Sequence, residues 1–381
     1  MECLRCGNKD AEYFYNDHGT YYCRKCIHFG RINANELPQK HKYRCKRHQI
    51  EIKLDYELTA AQKLVSDSLV RDIVKYPQIL VNAVCGSGKT EIVLEVIKEY
   101  LNDGKKVGFA ISRRQVVIEI KERLSSIFNT IKVICVCEGF TKITDGDLIV
   151  ATMHQLYRYY DTFDLLIMDE IDAFPYANNE VLEKISLSSV KKDGHIIYLS
   201  ATPDDLMIQK VKNGEIKMYE LYQRPHGYPL IVPKIKYRPW ILAFIEIFKQ
   251  IKYHYDHHIS LMIFTPSINM CNLLNKLCPF PSVGLTSKTV GKEELINKFK
   301  NHEVWIMFAT TIMERGITIE GVNVVVLNAE SEVYSLASLI QMSGRVGRKF
   351  SSPSGEAIYI NQHYSKKCLK SIRMIERMNH E

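Results

Sequence analysis

One segment, from Ile79 to Tyr100, limits the fold of this 381-residue chain more than any other. It opens with an apolar, β-branched run from Ile79 to Val84 that stops at glycines, and from Glu91 onward its apolar side chains recur at the helical spacing. A strand that ends in a glycine turn and leads at once into a helix is the setting of a phosphate-binding loop. The segment therefore predicts an α/β domain with a nucleotide site at the end of one strand.

The turn between this strand and this helix predicts how a nucleotide is held. Gly86 and Gly88 allow backbone N–H groups to wrap phosphates, and the N-terminus of the following helix adds partial positive charge. We expect Lys89 to reach the terminal phosphates and the Thr90 hydroxyl to bind Mg²⁺. Alanine occupies position 83, where the first glycine of such loops is usual. The predicted nucleotide-binding residues of the segment are Ala83, Val84, Cys85, Gly86, Ser87, Gly88, Lys89 and Thr90.

An acidic cluster follows the apolar strand predicted at residues 165–168. Carboxylates at the end of a strand suit a metal-bound phosphate and an attacking water. We therefore expect Asp169 to hold Mg²⁺ through water and Glu170 to orient and deprotonate the nucleophile. Such a pair also serves as a helix N-cap, but the phosphate loop upstream favours the catalytic interpretation. Ser200 and Thr202 follow another predicted strand, and their hydroxyls are expected to couple the carboxylates to a bound polymer.

These motifs, together with two arginines on a glycine-bent turn at residues 341–348, resemble those of superfamily 2 helicases and translocases and stand in the same order. The resemblance runs from about Tyr56 to Ile360. It implies an α/β fold with two RecA-like parallel-sheet domains in tandem, and an enzyme that hydrolyses ATP between them. The other matching strings are Leu58-Thr-Ala-Ala-Gln62, Ile111-Ser-Arg-Arg114, Ala151-Thr-Met-His-Gln-Leu156, Leu261 to Met270, and Ala309-Thr-Thr-Ile-Met-Glu-Arg-Gly316.

Several residue roles carry over from this family by position. The resemblance implies that Arg348 neutralises charge in the transition state, with Arg345 beside it on the γ-phosphate or on an interdomain carboxylate. Structural salt bridges are the alternative for either arginine. Gln62 is expected to read the adenine, and Gln341 to lie at the nucleotide. Because DEAD-box RNA helicases carry histidine at the position of Gln341, we expect the substrate to be DNA. Thr318 stands where many relatives have an aspartate that contacts the ribose.

The resemblance also implies that single-stranded DNA crosses both domains on the face away from ATP. Hydroxyls and arginines there grip phosphates, which confers little sequence preference. For each of these residues ordinary loop capping is the alternative. By motif position the expected DNA contacts are Arg113, Arg114, Thr152, His154, Thr265, Ser267, Thr310, Thr311 and Arg315.

Four cysteines near the N-terminus predict a structural Zn²⁺ site. Two Cys-x-x-Cys pairs have the spacing of a tetrathiolate site, and the aromatic stretch 13–22 between them predicts a hairpin, so that the two features make a zinc ribbon. Disulfides are the rival interpretation, but no signal peptide is recognised and the other cysteines are scattered, which favours reduced thiols. Cys45 and His48 also have ligand spacing, although the four cysteines already close a site. The predicted ligands are Cys3, Cys6, Cys23 and Cys26.

Positive charge is concentrated in the same region. Residues 1–53 hold 11 Lys and Arg against 6 Asp and Glu, which is most of the chain's net charge of +8. The charge peaks at residues 40–48, where Tyr43 is interleaved among cations, as suits a phosphate backbone with a base to stack on. A solvated basic linker is the alternative.

Length and composition divide the chain into three parts, because 381 residues with 46% hydrophobic content suit two sizeable cores and a small module. We predict a zinc-binding module with a basic linker at 1–53, a first RecA-like domain at 54–223 and a second at 234–381. A proline-marked hinge at 224–233 joins the two domains. No apolar run reaches the ~18 residues that a transmembrane helix needs. A cytoplasmic location is therefore expected, with a peripheral position at the inner face of the cell membrane left open.

A four-cysteine module joined to a compact motor resembles the bacterial late-competence helicases. This resemblance implies uptake of transforming single-stranded DNA into the cytoplasm, and partners among other competence and DNA-processing proteins near the membrane uptake channel. It leaves a homo-oligomer open. One alternative is a replication-restart helicase similar to PriA, and another is an ATP-switched DNA-binding adaptor that does not travel. The intact Lys89, Glu170 and Arg348 argue against a pure adaptor.

Overall fold

The computed structural model describes residues 1–41, 43, 46–313 and 319–380. They form two compact units. The first comprises Met1–Ala83 and Lys89–Leu221, and the second comprises Val84–Gly88 and Tyr222–Glu381. The domain boundaries expected from the sequence stay a prediction.

A small antiparallel hairpin begins the first unit, as the aromatic stretch predicted. Strands β1 (Phe14–Asp17) and β2 (Thr20–Cys23) pair with Asp17 opposite Thr20, so the loop has two residues. Both loop residues, His18 and Gly19, have positive φ angles of 49° and 86°. This is the pattern of a type I′ turn, whose twist matches the flanking strands.

A parallel sheet forms the centre of the first unit. In its described residues the strands are β3 (Gln78–Ala83), β4 (Val107–Ile111), β5 (Val133–Val136), β6 (Leu148–Thr152), β7 (Phe163–Asp169), β8 (Val190–Ser200) and β9 (Lys217–Leu221). They lie in the order β5-β6-β4-β7-β8-β3-β9, and all neighbours are parallel. The helices are α1 (Ala60–Asp72), α2 (Lys89–Ile92), α3 (Leu94–Asn102), α4 (Arg114–Ile127), α5 (Glu180–Ser189) and α6 (Asp205–Lys212).

The second unit repeats this architecture. Its described strands are β10 (Lys234–Tyr237), β11 (Leu261–Phe264), β12 (Ser282–Leu285), β13 (Ile306–Ala309), β14 (Asn323–Leu327) and β15 (Ala357–Asn361). They lie in the order β10-β15-β14-β11-β13-β12, again all parallel. The helices are α7 (Trp240–Asp256), α8 (Ile268–Leu277), α9 (Lys292–Lys300), α10 (Leu336–Ser343) and α11 (Lys366–His380). The predicted fold of two parallel sheets in tandem with a small N-terminal hairpin is confirmed.

The central strands are apolar on both faces because helices cover both sides of a parallel sheet. In β7 the residues Leu165, Leu166, Ile167 and Met168 are all fully buried. This pattern explains why the motif-bearing segments are short apolar runs rather than alternating ones. Among the described residues, no helix combines the length and the apolar character that crossing a bilayer requires.

Parallel strands place their carboxyl ends at one edge of the sheet, where ligands of such folds bind. In the first unit β3 ends at Ala83, β4 at Ile111, β7 at Asp169 and β8 at Ser200. The phosphate loop, the acidic run after β7 and the segment that holds Ser200 and Thr202 therefore all begin at the same edge of the sheet. Short 3₁₀ helices complete the described structure at Ala11–Tyr13, Ile27–Phe29, Met153–Arg158 and Thr311–Met313.

Candidate functional site

The phosphate loop has the backbone that its glycines predict. Gly86 and Gly88 have φ angles of 82° and 86°, in the left-handed region that favours glycine. Such a turn directs successive N–H groups to one side and forms a cradle for an anion. Lys89 begins α2, and its Nζ donates to the Ala83 carbonyl at 3.1 Å. The ammonium group is thus held at the strand end, next to the loop.

Residues Val84–Gly88 belong to the second unit, where Cys85 contacts Gln341, another residue that is predicted to bind the nucleotide. The Cys85 thiol donates to the Gln341 side-chain oxygen at 2.7 Å, and both residues are buried. Gln341 lies on α10, one turn before the loop that carries the two predicted arginines.

The acidic pair lies where β7 ends. Asp169 is the last residue of the strand and is 8% exposed, and its Oδ1 accepts from the Glu170 N–H at 2.9 Å. Burial raises the pKa of Asp169 to about 6; the charge of Lys89 opposes the shift and that of Glu170 adds to it. A buried carboxylate of this kind fits Mg²⁺, which prefers oxygen ligands and offsets the cost of burying negative charge.

Glu170 has an unusual backbone and a partner that sequence reasoning missed. Its φ angle is 58°, and its N–H also donates to the Leu199 carbonyl at 3.0 Å. Its Oε2 accepts from the Ser112 hydroxyl at 3.3 Å. Ser112 directly follows β4, so the neighbouring strand helps to orient the predicted general base.

Ser200 and Thr202 both contact the third acid of the cluster. Ser200 Oγ donates to Asp172 Oδ1 at 3.0 Å, and Thr202 Oγ1 donates to Asp172 Oδ2 at 2.7 Å. The Thr202 N–H donates in turn to Ser200 Oγ at 3.1 Å. Asp172 is absent from the predicted site residues, although its place two residues after Glu170 is the signal that could have identified it.

Gln62 and its surroundings combine a structural role with a predicted ligand role. Gln62 is 3% exposed and lies in a capping box with Thr59: the Thr59 N–H donates to Gln62 Oε1 at 2.9 Å, and the Gln62 N–H donates to Thr59 Oγ1 at 3.3 Å. Adenine recognition by Gln62 stays a prediction.

A second cluster that sequence reasoning missed lies beside the phosphate-loop helix. The Tyr56 hydroxyl donates to Glu91 Oε1 at 2.7 Å, and Arg123 donates to the Tyr56 hydroxyl at 2.9 Å and pairs with Glu91. Glu91 follows Thr90 directly and is 7% exposed. The cluster ties the start of α2 to α4. None of the three residues has a sequence motif of its own.

The predicted arginines of the second unit follow α10. Arg345 is 4% exposed, whereas Arg348 is partly exposed. The turn between them contains Gly347, with a φ angle of 63°.

Arg224, in the predicted hinge, contacts this turn. It donates to the carbonyls of Gly344 at 2.8 Å, Val346 at 2.9 Å and Gly347 at 2.6 Å. A fourth bond reaches the Cys85 carbonyl at 3.0 Å. Sequence reasoning placed Arg224 only in a linker.

The expected DNA contacts of the first unit lie at neighbouring strand ends. Ile111 and Thr152 are paired residues of β4 and β6, so the segments that follow them are adjacent. Arg113 precedes α4, and Arg114 is exposed, with its Nε donating to the Glu138 carbonyl at 2.9 Å. His154 lies on the 3₁₀ helix after Thr152, and burial, followed by the charge of His28, lowers its pKa.

The expected contacts of the second unit differ in accessibility. Thr265 is fully buried, and its hydroxyl donates to the Ser267 carbonyl at 3.3 Å. Ser267 caps α8 by accepting from the Met270 N–H at 3.2 Å. Thr310 and Thr311 follow β13 and are partly exposed. Arg315 and Thr318 lie outside the described residues. Contact with DNA stays a prediction for all of them.

The four N-terminal cysteines come together as predicted. Their sulfur atoms all lie within 4.8 Å of one another, and the four residues are buried. The Sγ–Sγ distances are 3.8 Å for Cys3 and Cys26 and 3.7 Å for Cys6 and Cys23. A tetrahedron with a Zn–S bond of about 2.3 Å has edges of about 3.8 Å. The cluster therefore fits Zn²⁺, and its sulfur separations are far longer than a disulfide bond.

Arg5 stabilises this cluster from outside. It is 5% exposed, and its Nε and Nη2 donate to the Cys26 sulfur at 3.3 and 3.1 Å. It also donates to the carbonyls of Cys26 at 2.6 Å and Gly30 at 2.7 Å. A cation beside a thiolate offsets the negative charge of a tetrathiolate site.

The cysteine module packs on the motif-bearing part of the first unit. Phe29 lies 5.3 Å from the Tyr157 ring and 6.1 Å from the His154 ring, measured between centroids. Lys25 pairs with Glu180 of α5 at 3.4 Å. The module is therefore in contact with the 3₁₀ helix that carries an expected DNA contact.

The basic linker also packs on the first unit. Tyr43 is half-buried against the Tyr159 ring, with 5.6 Å between centroids, and Ile50 is 5% exposed. His48 Nε2 lies 3.2 Å from a carboxylate oxygen of Asp147. Tyr43 thus has another ring of the protein beside it, and its stacking on a base stays a prediction. Lys42, Arg44 and Cys45 lie outside the described residues, so the predicted Cys45–His48 metal pair is not described.

Two protein families match the chain. Residues 55–205 match the family described as type III restriction enzyme, res subunit, and residues 243–350 match the helicase conserved C-terminal domain. Each match covers most strands of one of the two parallel sheets.

Relatives that match nearly all of this chain include two competence proteins named ComFA. The protein of Streptococcus pneumoniae is 34% identical over 100% of this chain and 90% of its own length. That of Bacillus subtilis is 31% identical over 99% of this chain and 85% of its own length. Among solved structures, Dbp5 of S. cerevisiae bound to RNA and ADP BeF3 has a TM-score of 0.64, covering 84% of this chain and 87% of that chain at 16% identity. At that identity the likeness concerns the fold alone.

Proposed function

Because the chain belongs to the ComFA family of helicase-type, ATP-hydrolysing nucleic-acid motors, we propose that it travels along single-stranded DNA and powers uptake of transforming DNA into the cytoplasm during natural competence. The observation that carries the proposal is the arrangement of Lys89, Asp169 and Glu170 at one edge of the first sheet. A protein that only switched between states would not need the general base Glu170.

The ATPase reaction assigns a separate task to each group. The N–H groups of Gly86 and Gly88 and the ammonium of Lys89 bind the phosphates, while Thr90 and Asp169 hold Mg²⁺. The metal supplies charge neutralisation of the phosphate oxygens. Glu170, oriented by Ser112, accepts the proton of the attacking water.

The second unit contributes the arginines. Arg348 neutralises charge that develops on the γ-phosphate, and Arg345 lies beside it. In related phosphoryl-transfer enzymes an arginine of this kind is worth roughly 10³- to 10⁵-fold in rate. Changing Arg348 to alanine is expected to abolish ATP turnover while leaving binding of a labelled ATP analogue largely intact. Unchanged turnover would sink the proposal that both units share one reaction.

Nucleic-acid binding is coupled to the acidic cluster through Asp172. Because Ser200 and Thr202 both donate to this carboxylate, a movement of the segment after β8 changes the surroundings of Glu170 two residues away. We propose that alternating grips of the two units on one strand convert such movements into steps.

The decisive experiment compares ATP hydrolysis with single-stranded DNA, duplex DNA and RNA. We expect single-stranded DNA to stimulate most, with turnover that rises with strand length, because a travelling motor hydrolyses more ATP before it reaches an end. Glu170→Gln is the control that binds DNA without turnover. Preferential stimulation by RNA would refute the DNA assignment, and stimulation independent of length would favour the adaptor alternative.

The cysteine cluster is proposed to hold structural Zn²⁺. Purified protein is expected to contain about one equivalent of zinc. Cys23→Ser is expected to lose the metal and to become sensitive to protease within residues 1–41, because so short a module has little core without it. Cys135→Ser, a half-buried cysteine outside the cluster, is the matched control. Retained zinc in the Cys23 variant would contradict the four-cysteine site.

Family membership supports one further part of the proposal. We propose partners among other competence and DNA-processing proteins near the uptake channel, and a cytoplasmic location at the inner face of the membrane. Crosslinking in competent cells followed by membrane fractionation tests both points, and recovery only in the soluble fraction without crosslinked competence proteins would contradict them.

A further inference from the structure

Arg224 is a buried arginine whose side chain donates to four backbone carbonyls. It lies in the segment between β9 and β10, which contains no helix or strand, and it is 2% exposed. Its Nη1 donates to the carbonyls of Val346 and Gly347 at 2.9 and 2.6 Å, and its Nη2 donates to that of Gly344 at 2.8 Å. Arginine is almost never fully buried unless its charge is matched. Here several carbonyl dipoles match it.

Two of the bonded carbonyls, those of Gly344 and Gly347, belong to the peptide groups that precede the two predicted catalytic arginines. The carbonyl of Gly344 and the N–H of Arg345 share one planar peptide, and so do the carbonyl of Gly347 and the N–H of Arg348. Fixing those carbonyls fixes the planes from which both arginine side chains project. Arg224 therefore acts on Arg345 and Arg348 through the backbone.

The turn has further restraints around the same point. Gly347 has a φ angle of 63°, and an added Cβ would lie 2.3 Å from the Pro353 carbonyl oxygen and 3.6 Å from Arg224 Nη1. His226 Nε2 lies 3.1 Å from the Gly347 carbonyl oxygen. Arg224 and His226, two residues of one interstrand segment, thus bond the same carbonyl, and the turn that carries Gly347 has little room to relax.

We propose that Arg224 is a positioning residue for the ATPase reaction. Its guanidinium sets the backbone geometry at which Arg348 is presented to the γ-phosphate. The proposal rests on the proposed function of Arg348. It assigns the segment 222–233 a catalytic purpose beyond joining two sheets. A side chain that only filled this space would not need a forked set of donors.

A double-mutant cycle in the full-length protein tests this role. Arg224→Gln, Arg348→Ala and the double variant are compared for kcat, for KM of ATP with saturating single-stranded DNA, and for the unfolding temperature. A small misplacement of a catalytic group costs up to roughly 10²-fold. We therefore expect Arg224→Gln to lower kcat by roughly 10- to 100-fold with little change in KM. The loss in the double variant should be clearly smaller than the product of the two single losses, because Arg224 acts in part through Arg348.

Two further variants keep the test decisive. Arg224→Lys should have a higher kcat than Arg224→Gln, because lysine keeps the positive charge. Its kcat should stay below that of wild type, because an ammonium group donates to fewer carbonyls than the guanidinium fork does. Arg238→Gln is the matched control, because this arginine lies beyond the same segment and donates to the neighbouring Tyr237 carbonyl. If Arg224→Gln unfolds at a much lower temperature, Arg224→Lys and His226→Ala replace it in the cycle.

The outcomes separate the proposal from the one on which it rests. Losses that multiply in the double variant, or a normal kcat in Arg224→Gln, would overturn the positioning role. A normal kcat in Arg348→Ala would instead overturn the proposed function of the arginine turn. A fall in unfolding temperature that accounts for the whole loss of turnover in every Arg224 variant would reduce Arg224 to a structural residue.

Discussion

At the scale of single residues, two ionisable groups near the predicted site are buried, although burial disfavours their charged forms. Asp169 is buried beside Lys89 and Glu170, and Arg224 is buried among carbonyls. Burial disfavours the ionised form of each group, lowering the pKa of Arg224 to about 10 and raising that of Asp169 to about 6. Arg224 stays charged at neutral pH, whereas Asp169 titrates close to it.

Asp169 predicts a measurable pH dependence of stability. Its pKa in the folded protein, about 6, lies above its ordinary value of 3.8, so the native state binds more protons between these values. The free energy of unfolding should therefore fall as pH rises from about 4 to about 6 and level off above, by on the order of 2 kcal/mol. Asp169→Asn should remove this fall.

Denaturant unfolding of wild type and variant at several pH values, without nucleotide or Mg²⁺, measures the difference. Asp193→Asn, at an exposed position, serves as the control and should follow wild type. Parallel curves for wild type and Asp169→Asn would contradict the raised pKa.

At the scale of elements, the turn after α10 is restrained by its own backbone and by the residues around it. Gly347 cannot accept a side chain, because its φ angle is positive and the Pro353 carbonyl occupies the space of a Cβ. Gly227 has a φ angle of 76° but no atom within 4 Å of an added Cβ. A substitution at Gly227 therefore measures the cost of the left-handed backbone alone, whereas one at Gly347 adds the cost of the clash with Pro353.

Alanine at these two positions gives a matched prediction. Gly227→Ala should cost about 1 kcal/mol of unfolding free energy, the usual cost of the left-handed conformation. Gly347→Ala should cost about 1 to 3 kcal/mol more, since the turn must move away from Pro353. It should also lower ATP turnover, because Arg345 and Arg348 move with the turn. Equal stability of the two variants would mean that the turn relaxes freely.

At the scale of the whole molecule, the N-terminal residues are part of the first unit rather than an appendage. The cysteine module packs on the 3₁₀ helix 153–158 through Phe29, and the linker continues along the unit through Tyr43 and Ile50. The Ile50 N–H also donates to Asn102 Oδ1 at 3.0 Å. The cysteine cluster near one end of the chain is thereby connected to a predicted nucleic-acid contact.

Ile50 tests this integration. Ile50→Ala is expected to lower the unfolding free energy of the first unit by about 2 to 4 kcal/mol, as for a buried core residue. Leu37→Ala, at a residue that is 60% exposed, should change it by less than about 0.5 kcal/mol. Calorimetry on both variants provides the measurement. A small effect at Ile50 would make the linker a dispensable tether.

The amino-acid sequence alone determined the fold class, the ATPase class and the family, all of which are confirmed. Their signals are local: the strand, glycine turn and helix of the phosphate loop, the acidic run after β7, and Cys-x-x-Cys pairs whose spacing is fixed by ligand geometry. Such patterns extend over a few residues, and the periodicity of helices and strands positions them without reference to the rest of the chain. Roles of individual site residues stay predictions.

Tertiary structure alone decided the connections between distant residues. Arg224 bonds carbonyls 120 to 123 positions later, and Asp172 binds hydroxyls 28 and 30 positions later. Tyr43 likewise packs on the ring of Tyr159, while its stacking on a base stays a prediction. Neither backbone carbonyls nor the burial of a charge leaves a pattern in sequence. These contacts therefore become visible only when the chain has folded and brought their partners within hydrogen-bonding distance.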